Sequence, residues 1–237
     1  EKYSYRNLIC QLINRFCSLK ANFESSILKK SIINITNQSS CLNRLIINLL
    51  QDITNLIDES LQKVRLCNEH QGSFANFNNL ENLLIGLADQ SEQEFNLQQN
   101  LQIIKSSNLF FNSFAETLSI LVSINREITF SEEMLEKIAQ SLNYCVNEIV
   151  TKAINPLGLP KLRSLHFDPT RFLKFICLII SSFRENEKML KIIIRDERSY
   201  NLKVYQDTIL LLLNENLISD EESYSLQVVL EKWKILA

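Results

Sequence analysis

An all-α fold is what this sequence predicts, on three observations. Glycine and proline each occur only three times in 237 residues, too few for the tight turns of a β-rich fold. Apolar residues recur at helical spacing through most of the chain. Helix-start signals, Ser or Thr with Glu three residues later and an Asp-Pro pair, stand between the apolar runs. Hydrophobic residues make up 46% and charged residues 22%, ordinary proportions for a chain able to bury a sizeable core.

Taken in order, Tyr5 to Leu19 and Phe23 to Ile35 read as two helices. The clearest amphipathic stretch runs from Cys41 to Leu66. There Leu42, Leu45, Ile46, Leu49, Ile53, Leu56, Ile57 and Val64 share one face, and Asn43, Asn48, Gln51, Asn55 and Gln62 lie between them. A polar, Gly-containing loop is expected from His70 to Asn79. Leu80 to Leu87 and Phe95 to Ile104 read as helices with a kink or break near Gly86 to Ser91, and Leu109 to Ile124 as another.

Thr129 and Glu132 predict a capping box that opens a helix from Ser131 to Val150. The segment Asn155-Pro156-Leu157-Gly158-Leu159-Pro160 is expected to end it, because proline lacks the N–H and clashes with the preceding turn. Asp168 as N-cap and Pro169 at the first helical position restart the helical path. Phe172 to Phe183 is apolar on nearly every face and belongs deep in the core. Ser219 and Glu222 predict a second capping box, for a last helix running toward Trp233. About ten helices with short links imply antiparallel hairpins, stacked as an armadillo- or HEAT-like α-solenoid. No clean repeat near the expected period of about 40 residues is visible. No compositional shift marks a boundary either, so residues 1–237 read as a single helical domain.

Charge and composition exclude several classes of function. A net charge of −2 with scattered Lys and Arg provides no basic stripe for nucleic acid. The apolar run Phe172 to Ile180 is interrupted by Lys174 and is far shorter than a membrane span of about 20 residues. Cys10, Cys17, Cys41, Cys67, Cys145 and Cys177 contain no C-x-x-C pair for zinc and sit mostly within apolar helical patterns. They read as reduced, mostly buried thiols of a cytoplasmic or nuclear protein. His70 and His166 have no neighbour at ligand spacing, and no phosphate-binding or dinucleotide fingerprint is present. No cofactor, metal or catalytic residue is predicted.

Two polar groups stand out. Asp52, Asp58 and Glu59 lie close together on one helix, as an acid/base pair would need, although a solvated face or internal bonding is the commoner use of such residues. Arg195 to Tyr200 is compactly charged between two apolar helices and reads as a structural corner. In it Ser199 could cap the next helix and Asp196 could pair with Arg198.

Several motifs, in order along nearly the whole chain, resemble the core of the ubiquitin conjugation factors that elongate ubiquitin chains and carry a U-box. Lys2-Tyr3-Ser4-Tyr5-Arg6 is similar to that family's aromatic-x-x-Arg helix entry. Leu45 to Asp52, with Leu56-Ile57-Asp58-Glu59-Ser60-Leu61, resembles its N-x-L-x-N-D…L-L-D-E-S-L segment. Leu142-Asn143-Tyr144 resembles L-N-Y-N-L, interrupted here by Cys145. Phe167-Asp168-Pro169 with Phe172-Leu173 resembles F-D-P-x-x-L-L, and Asp196-Glu197-Arg198-Ser199-Tyr200 resembles D-x-R-S-Y. Ala153 to Leu157 stands where the family has a Gly-Pro-Lys-like turn.

The resemblance implies a curved solenoid that positions substrate and partners, with residues 1–237 the C-terminal portion of its core and a U-box following residue 237. The implied partners are a ubiquitin-charged conjugating enzyme engaged through the U-box, a hexameric AAA ATPase segregase, proteasome shuttle factors and ubiquitylated substrates. Transfer in the family passes directly from the conjugating enzyme's thioester to an acceptor lysine, so this segment is expected to be non-catalytic by itself. Helix content alone leaves one competing reading, an unrelated α-solenoid interaction adaptor.

Overall fold

The apolar stripe of the long amphipathic segment becomes a helix for the reason its spacing suggests. Residues 3–4 apart share a face, and Ile46, Leu49, Ile53, Leu56, Ile57, Val64 and Cys67 are all at most 1% exposed. This is seen in a computed structural model, which describes residues 2–18, 40–74, 87–124 and 130–236. The fold over those residues is all-α. In chain order the helices are α1 (Lys2–Ser18), α2 (Ser40–Phe74), α3 (Leu87–Ile124), α4 (Glu132–Ile149), α5 (Asn155–Leu157), α6 (Leu159–Ser164), α7 (Thr170–Ser182), α8 (Glu187–Arg195), α9 (Leu202–Asn214) and α10 (Asp220–Leu236). A π-helical turn, Val150–Ile154, joins α4 to α5.

Packing runs mainly between helices close in sequence, as in stacked hairpins: α2 on α3, α2 on α4, α9 on α10. Helix α4 also packs on α8 and α7 on α10, and the most extensive join between helices far apart in sequence is α3 on α7. There Phe111 meets Phe167 and Phe172 edge-on, with ring centroids 5.9 and 5.2 Å apart, a favoured aromatic arrangement. The expectation that Phe172 to Phe183 lies deep holds. Phe172, Leu173, Ile176, Cys177, Ile179 and Ile180 are at most 1% exposed, and α7 touches α3, α4, α9 and α10.

Several expected boundaries are corrected. The helix expected to end at Leu66 continues through His70 and Gly72 to Phe74, because a single glycine costs only about 1 kcal/mol against a helix already propagating. The expected break near Gly86 to Ser91 is absent from Leu87 onward, and Phe95 to Ile104 and Leu109 to Ile124 are parts of one 38-residue helix, α3. The polar residues between them are absorbed within it. The Ser106 hydroxyl donates to the Gln102 carbonyl at 2.9 Å, and the Asn112 amide to the Asn108 carbonyl at 2.7 Å. The expected helix at Phe23 to Ile35 lies outside the described residues, as do Leu80 to Gly86 and the loop residues Ala75 to Asn79.

Helix ends follow local chemistry. The cap of α4 is Ser131, whose hydroxyl accepts from the Met134 N–H at 3.3 Å. Thr129 lies outside the described residues, and Glu132 instead reaches Lys188 on α8 at 2.8 Å. The box expected at Ser219 is formed in both directions: the Ser219 N–H donates to Glu222 Oε2 at 2.8 Å, and the Glu222 N–H to Ser219 Oγ at 3.2 Å.

Pro156 does not stop α4 where expected. The π turn shifts the ladder by one, with the Asn155 N–H donating to the Val150 carbonyl, and Pro156 falls in a fresh first turn where its missing N–H is tolerated. The break comes two residues later at Gly158, whose φ of 74° favours glycine.

His166 and Asn216 also adopt positive φ, 61° and 53°. Each terminates a helix in a Schellman motif: Phe167 N–H donates to the Leu162 carbonyl at 3.0 Å, and Leu217 N–H to the Leu212 carbonyl at 2.9 Å. His166 is thus an exposed helix terminator. Helix α1 turns two asparagines inward. It buries Asn7, Cys10 and Asn14 against α3, where Asn14 Nδ2 donates to the Ser113 carbonyl at 3.1 Å and Thr117 Oγ1 to Asn14 Oδ1 at 2.8 Å.

The Phe111–Phe167–Phe172 contact generates a direct test. Phe172→Ala should lower the unfolding free energy by about 3–5 kcal/mol, read by urea denaturation.

Candidate functional site

Of the residues singled out in the sequence, Asp52, Asp58, Asn143, Tyr144, Asp168 and Asp196 form bonds between helices or at helix junctions. Asp52 on α2 is 3% exposed and is paired with Arg6 on α1. One turn and a half further along α2, Asp58 Oδ1 accepts the Tyr144 hydroxyl of α4 at 2.6 Å. Burial first, and then that bond to Asp58, raises the Tyr144 pKa. Glu59 faces solvent. The three acids therefore serve two different helices and the solvent, and they do not converge as an acid/base pair.

Asn143, fully buried at 0% exposure, holds the most connected position. Its Nδ2 donates to the Ile193 carbonyl at 2.9 Å and to Asp196 Oδ2 at 3.0 Å. Its Oδ1 accepts the Tyr205 hydroxyl at 2.7 Å. Helix α4 is thereby bonded to the end of α8, to the corner that follows and to α9. The corner is a tight turn, with the N–H groups of Ser199 and Tyr200 both donating to the Asp196 carbonyl, at 3.2 and 2.9 Å.

Two expectations for this corner are corrected. Asp196 takes the Asn143 amide rather than Arg198, since Arg198 is exposed while Asn143 presents a buried donor that needs an acceptor. The cap of α9 is Asn201, not Ser199. Its Oδ1 accepts from the N–H groups of Lys203 and Val204 at 3.0 and 3.4 Å. Tyr200 packs its ring on Trp233 and Tyr205, centroids 5.6 and 6.2 Å away. Its hydroxyl, like Trp233 Nε1, is buried without a hydrogen-bond partner, and burial raises its pKa.

Asp168 and Pro169 form a separate junction. Pro169, expected at the first helical position after an Asp168 N-cap, is instead itself the N-cap residue of α7, which starts at Thr170, and it has no side-chain cap to give. The capping bonds come from Asp168 one residue earlier, whose Oδ1 accepts from the N–H and the hydroxyl of Thr170 at 3.1 and 2.7 Å. Arg163 then spans from Asp168 Oδ2, 3.0 Å from Nε, to Glu215 Oε2, 2.6 Å from Nη2. Burial opposes the Asp168 charge, but the Thr170 bonds and the Arg163 guanidinium outweigh it and hold the carboxyl below its usual range.

Sequence reasoning missed Tyr205, Trp233 and Asn201. A signal existed for Tyr205: a tyrosine inside an otherwise apolar helix needs a partner for its hydroxyl. Cys10, Cys67, Cys145 and Cys177 are free, buried thiols, and burial pushes Cys145 and Cys177 up to about 12. Cys17 and Cys41 have side chains outside the described ones, as does His70. Among the described residues there is no cluster of His, Cys, Asp and Glu fit for a metal, and no helix long and apolar enough to cross a membrane. What this arrangement does chemically is to lock helices against one another at chosen points.

Two consequences are measurable. Asn143→Ala leaves the buried Tyr205 hydroxyl without its acceptor and the Ile193 carbonyl with only the long bond from the Asp196 N–H, and should cost about 2–4 kcal/mol in urea unfolding. Arg198→Ala, by contrast, should stay within about 0.5 kcal/mol. For Asp168 the sign follows from its lowered pKa. The folded chain binds that proton more weakly than the unfolded one, so the stabilisation is complete above the unfolded carboxyl pKa of about 3.9 and fades as pH falls through the folded value. The stability difference between the native chain and Asp168→Asn should be constant near neutrality and shrink toward acid.

Comparison with known proteins gives this geometry a family. The sequence model of the ubiquitin elongating factor core matches residues 1–235. The chain is 23% identical over 173 residues to "Ubiquitin conjugation factor E4 A" of Bos taurus, covering 71% of the chain and 16% of that protein. The protein of the same name from Rattus norvegicus gives the same figures. The Mus musculus protein is 26% identical over 125 residues, 53% of the chain and 12% of the relative. The matched region thus spans less than a fifth of each of these relatives. With its length matched almost end to end by that family's sequence model, the chain belongs to the ubiquitin elongating factor core family.

Proposed function

We propose that this chain is the C-terminal portion of the scaffold core of a U-box ubiquitin-chain elongation factor, acting in proteasomal degradation. The observation that carries the reading is the family match over residues 1–235. Relatives named as ubiquitin conjugation factors support it, and so does a fold in which the family-like motifs bond to one another between helices. The reading of an unrelated adaptor rests on helix content alone and has no observation in its favour.

In this proposal the core does its work by positioning. A ubiquitin-charged conjugating enzyme docks on a U-box that follows residue 237, and the core holds a ubiquitylated substrate at a fixed distance from it. Holding two reactants together raises their effective concentration without any covalent step on the scaffold. No residue of this chain serves as a nucleophile, and the segment alone is non-catalytic. A hexameric AAA ATPase segregase and proteasome shuttle factors bring substrate in and take it away, in the cytoplasm or nucleus.

Reconstitution tests the proposal. The full-length protein, mixed with activating and conjugating enzymes, ubiquitin and a pre-ubiquitylated substrate, should lengthen the chains, read by gel mobility. Deleting the U-box should stop elongation. Normal elongation after that deletion, or a full-length sequence without a U-box, would overturn the reading.

A further inference from the structure

Helix α1 is mounted with its polar side inward. Asn7 and Asn14 are buried, and among the described side chains of α1 Cys10 is the one apolar residue buried with them. Its apolar side chains point the other way. Tyr5, Leu8, Ile9 and Leu12 stand at i, i+3, i+4 and i+7, the spacing of one helical stripe, and are 76%, 56%, 55% and 49% exposed. A helix at a free surface has the opposite arrangement, with its stripe on the core and its polar residues in water.

Turning the helix would not relieve this, because its inner side is pinned. Asn14 bonds to the Ser113 carbonyl and to Thr117, and Arg6 is paired with Asp52 on α2. The Tyr3 ring lies 6.3 and 6.5 Å from those of Phe110 and Phe114. Rotating α1 to bury its stripe would break all of these contacts. They bury little apolar surface, however, and burial of an apolar face does more than helix propensity to hold a helix of 17 residues in place. The remaining burial has to come from the outer side.

Size and stacking order narrow the occupant. Four exposed side chains compare with roughly 20–30 residues on each side of a standard interface between separate proteins. That is too few for a second copy or a free partner, whereas a segment of the same chain is held nearby at high effective concentration. In a stack of helices each layer lies between the one before it and the one after, and a terminal layer needs a polar outer face. Helices α2 and α3, which follow α1, lie on its inner side. Its outer side is therefore turned toward what precedes it. The matched region covers 16% of the bovine and rat relatives, so most of such a protein lies outside this segment.

We propose that Tyr5, Leu8, Ile9 and Leu12 form the docking face for an amphipathic helix that stands before residue 1 in the full-length protein, the adjoining layer of the same core. The inference rests on the proposed place of this chain as the C-terminal portion of the core, and it adds the surface through which the two portions join.

Photocrosslinking in the full-length protein tests it. With p-benzoylphenylalanine in place of Ile9, irradiation and peptide mass spectrometry should find α1 joined to a sequence before residue 1, in a product of monomer size. The same probe in place of Tyr224, exposed on α10, should give no crosslink to that sequence. Leu8→Asp together with Leu12→Asp should abolish the crosslink from position 9, because two carboxylates would have to be buried against an apolar face. Leu8→Met, which keeps the face apolar, should retain it. Crosslinks to residues 19–39 or 75–86 instead, a product of dimer size, no crosslinked product, or a crosslink that survives the double Asp variant would each overturn the docking inference and leave the family membership standing. A full-length protein with no helix-forming segment before residue 1 would overturn the placement as the C-terminal portion as well.

Discussion

One buried amide, that of Asn143, donates to the Ile193 carbonyl and to Asp196 and accepts from Tyr205, and the C-terminal half of the fold is arranged around it. A fully buried amide must find partners or cost the fold about 1–3 kcal/mol for each group left unpaired. Those partners come from the end of α8, the following turn and α9. The turn can therefore adopt only the conformation that brings the Ile193 carbonyl and the Asp196 carboxylate to the same nitrogen. Its two N–H bonds to the Asp196 carbonyl then set where α9 begins, and Asn201 caps it there. Apolar packing supplies most of the driving force here as elsewhere, but it is non-directional. The amide sets the direction.

The same division of labour recurs along the chain. Arg6 with Asp52 ties α1 to α2, and Tyr144 with Asp58 ties α4 to α2. Arg163 joins the terminated ends of α6 and α9 through Asp168 and Glu215. These contacts are few against the extent of the apolar core. Each is specific in register, so that a helix shifted by one residue would lose its partner while keeping much of its apolar contact. A protein proposed to act by holding partners at fixed separation needs that kind of rigidity.

Much of the fold was legible because its causes are local. The stripe of α2, the apolar surround of α7 and the reciprocal box at Ser219 are each contained within a few turns of sequence. The failures share a cause as well. Phe95 to Ile104 and Leu109 to Ile124 read as two helices, yet the polar residues between and beside them bond one turn back along a single helix. Ser199 and Asn201 are both good caps, and only the turn geometry chooses between them. The partner of Asp196 lies 53 residues away, and nothing in the local sequence distinguishes Asn143 from Arg198 as that partner. Motif order thus pointed to the family, while the pairings among the motif residues had to come from three dimensions.

Trp233 is the chain's only tryptophan. Its ring sits 5.0 Å from Tyr205 and 5.6 Å from Tyr200, and it is 1% exposed. Its indole therefore acts as an optical gauge placed by the fold at the corner organised by Asn143. Tyrosine excitation is handed to it over a few ångströms, and the dry surroundings keep its emission at short wavelength. Any event that loosens α9 or α10 from the corner would register as a colour change, without a label.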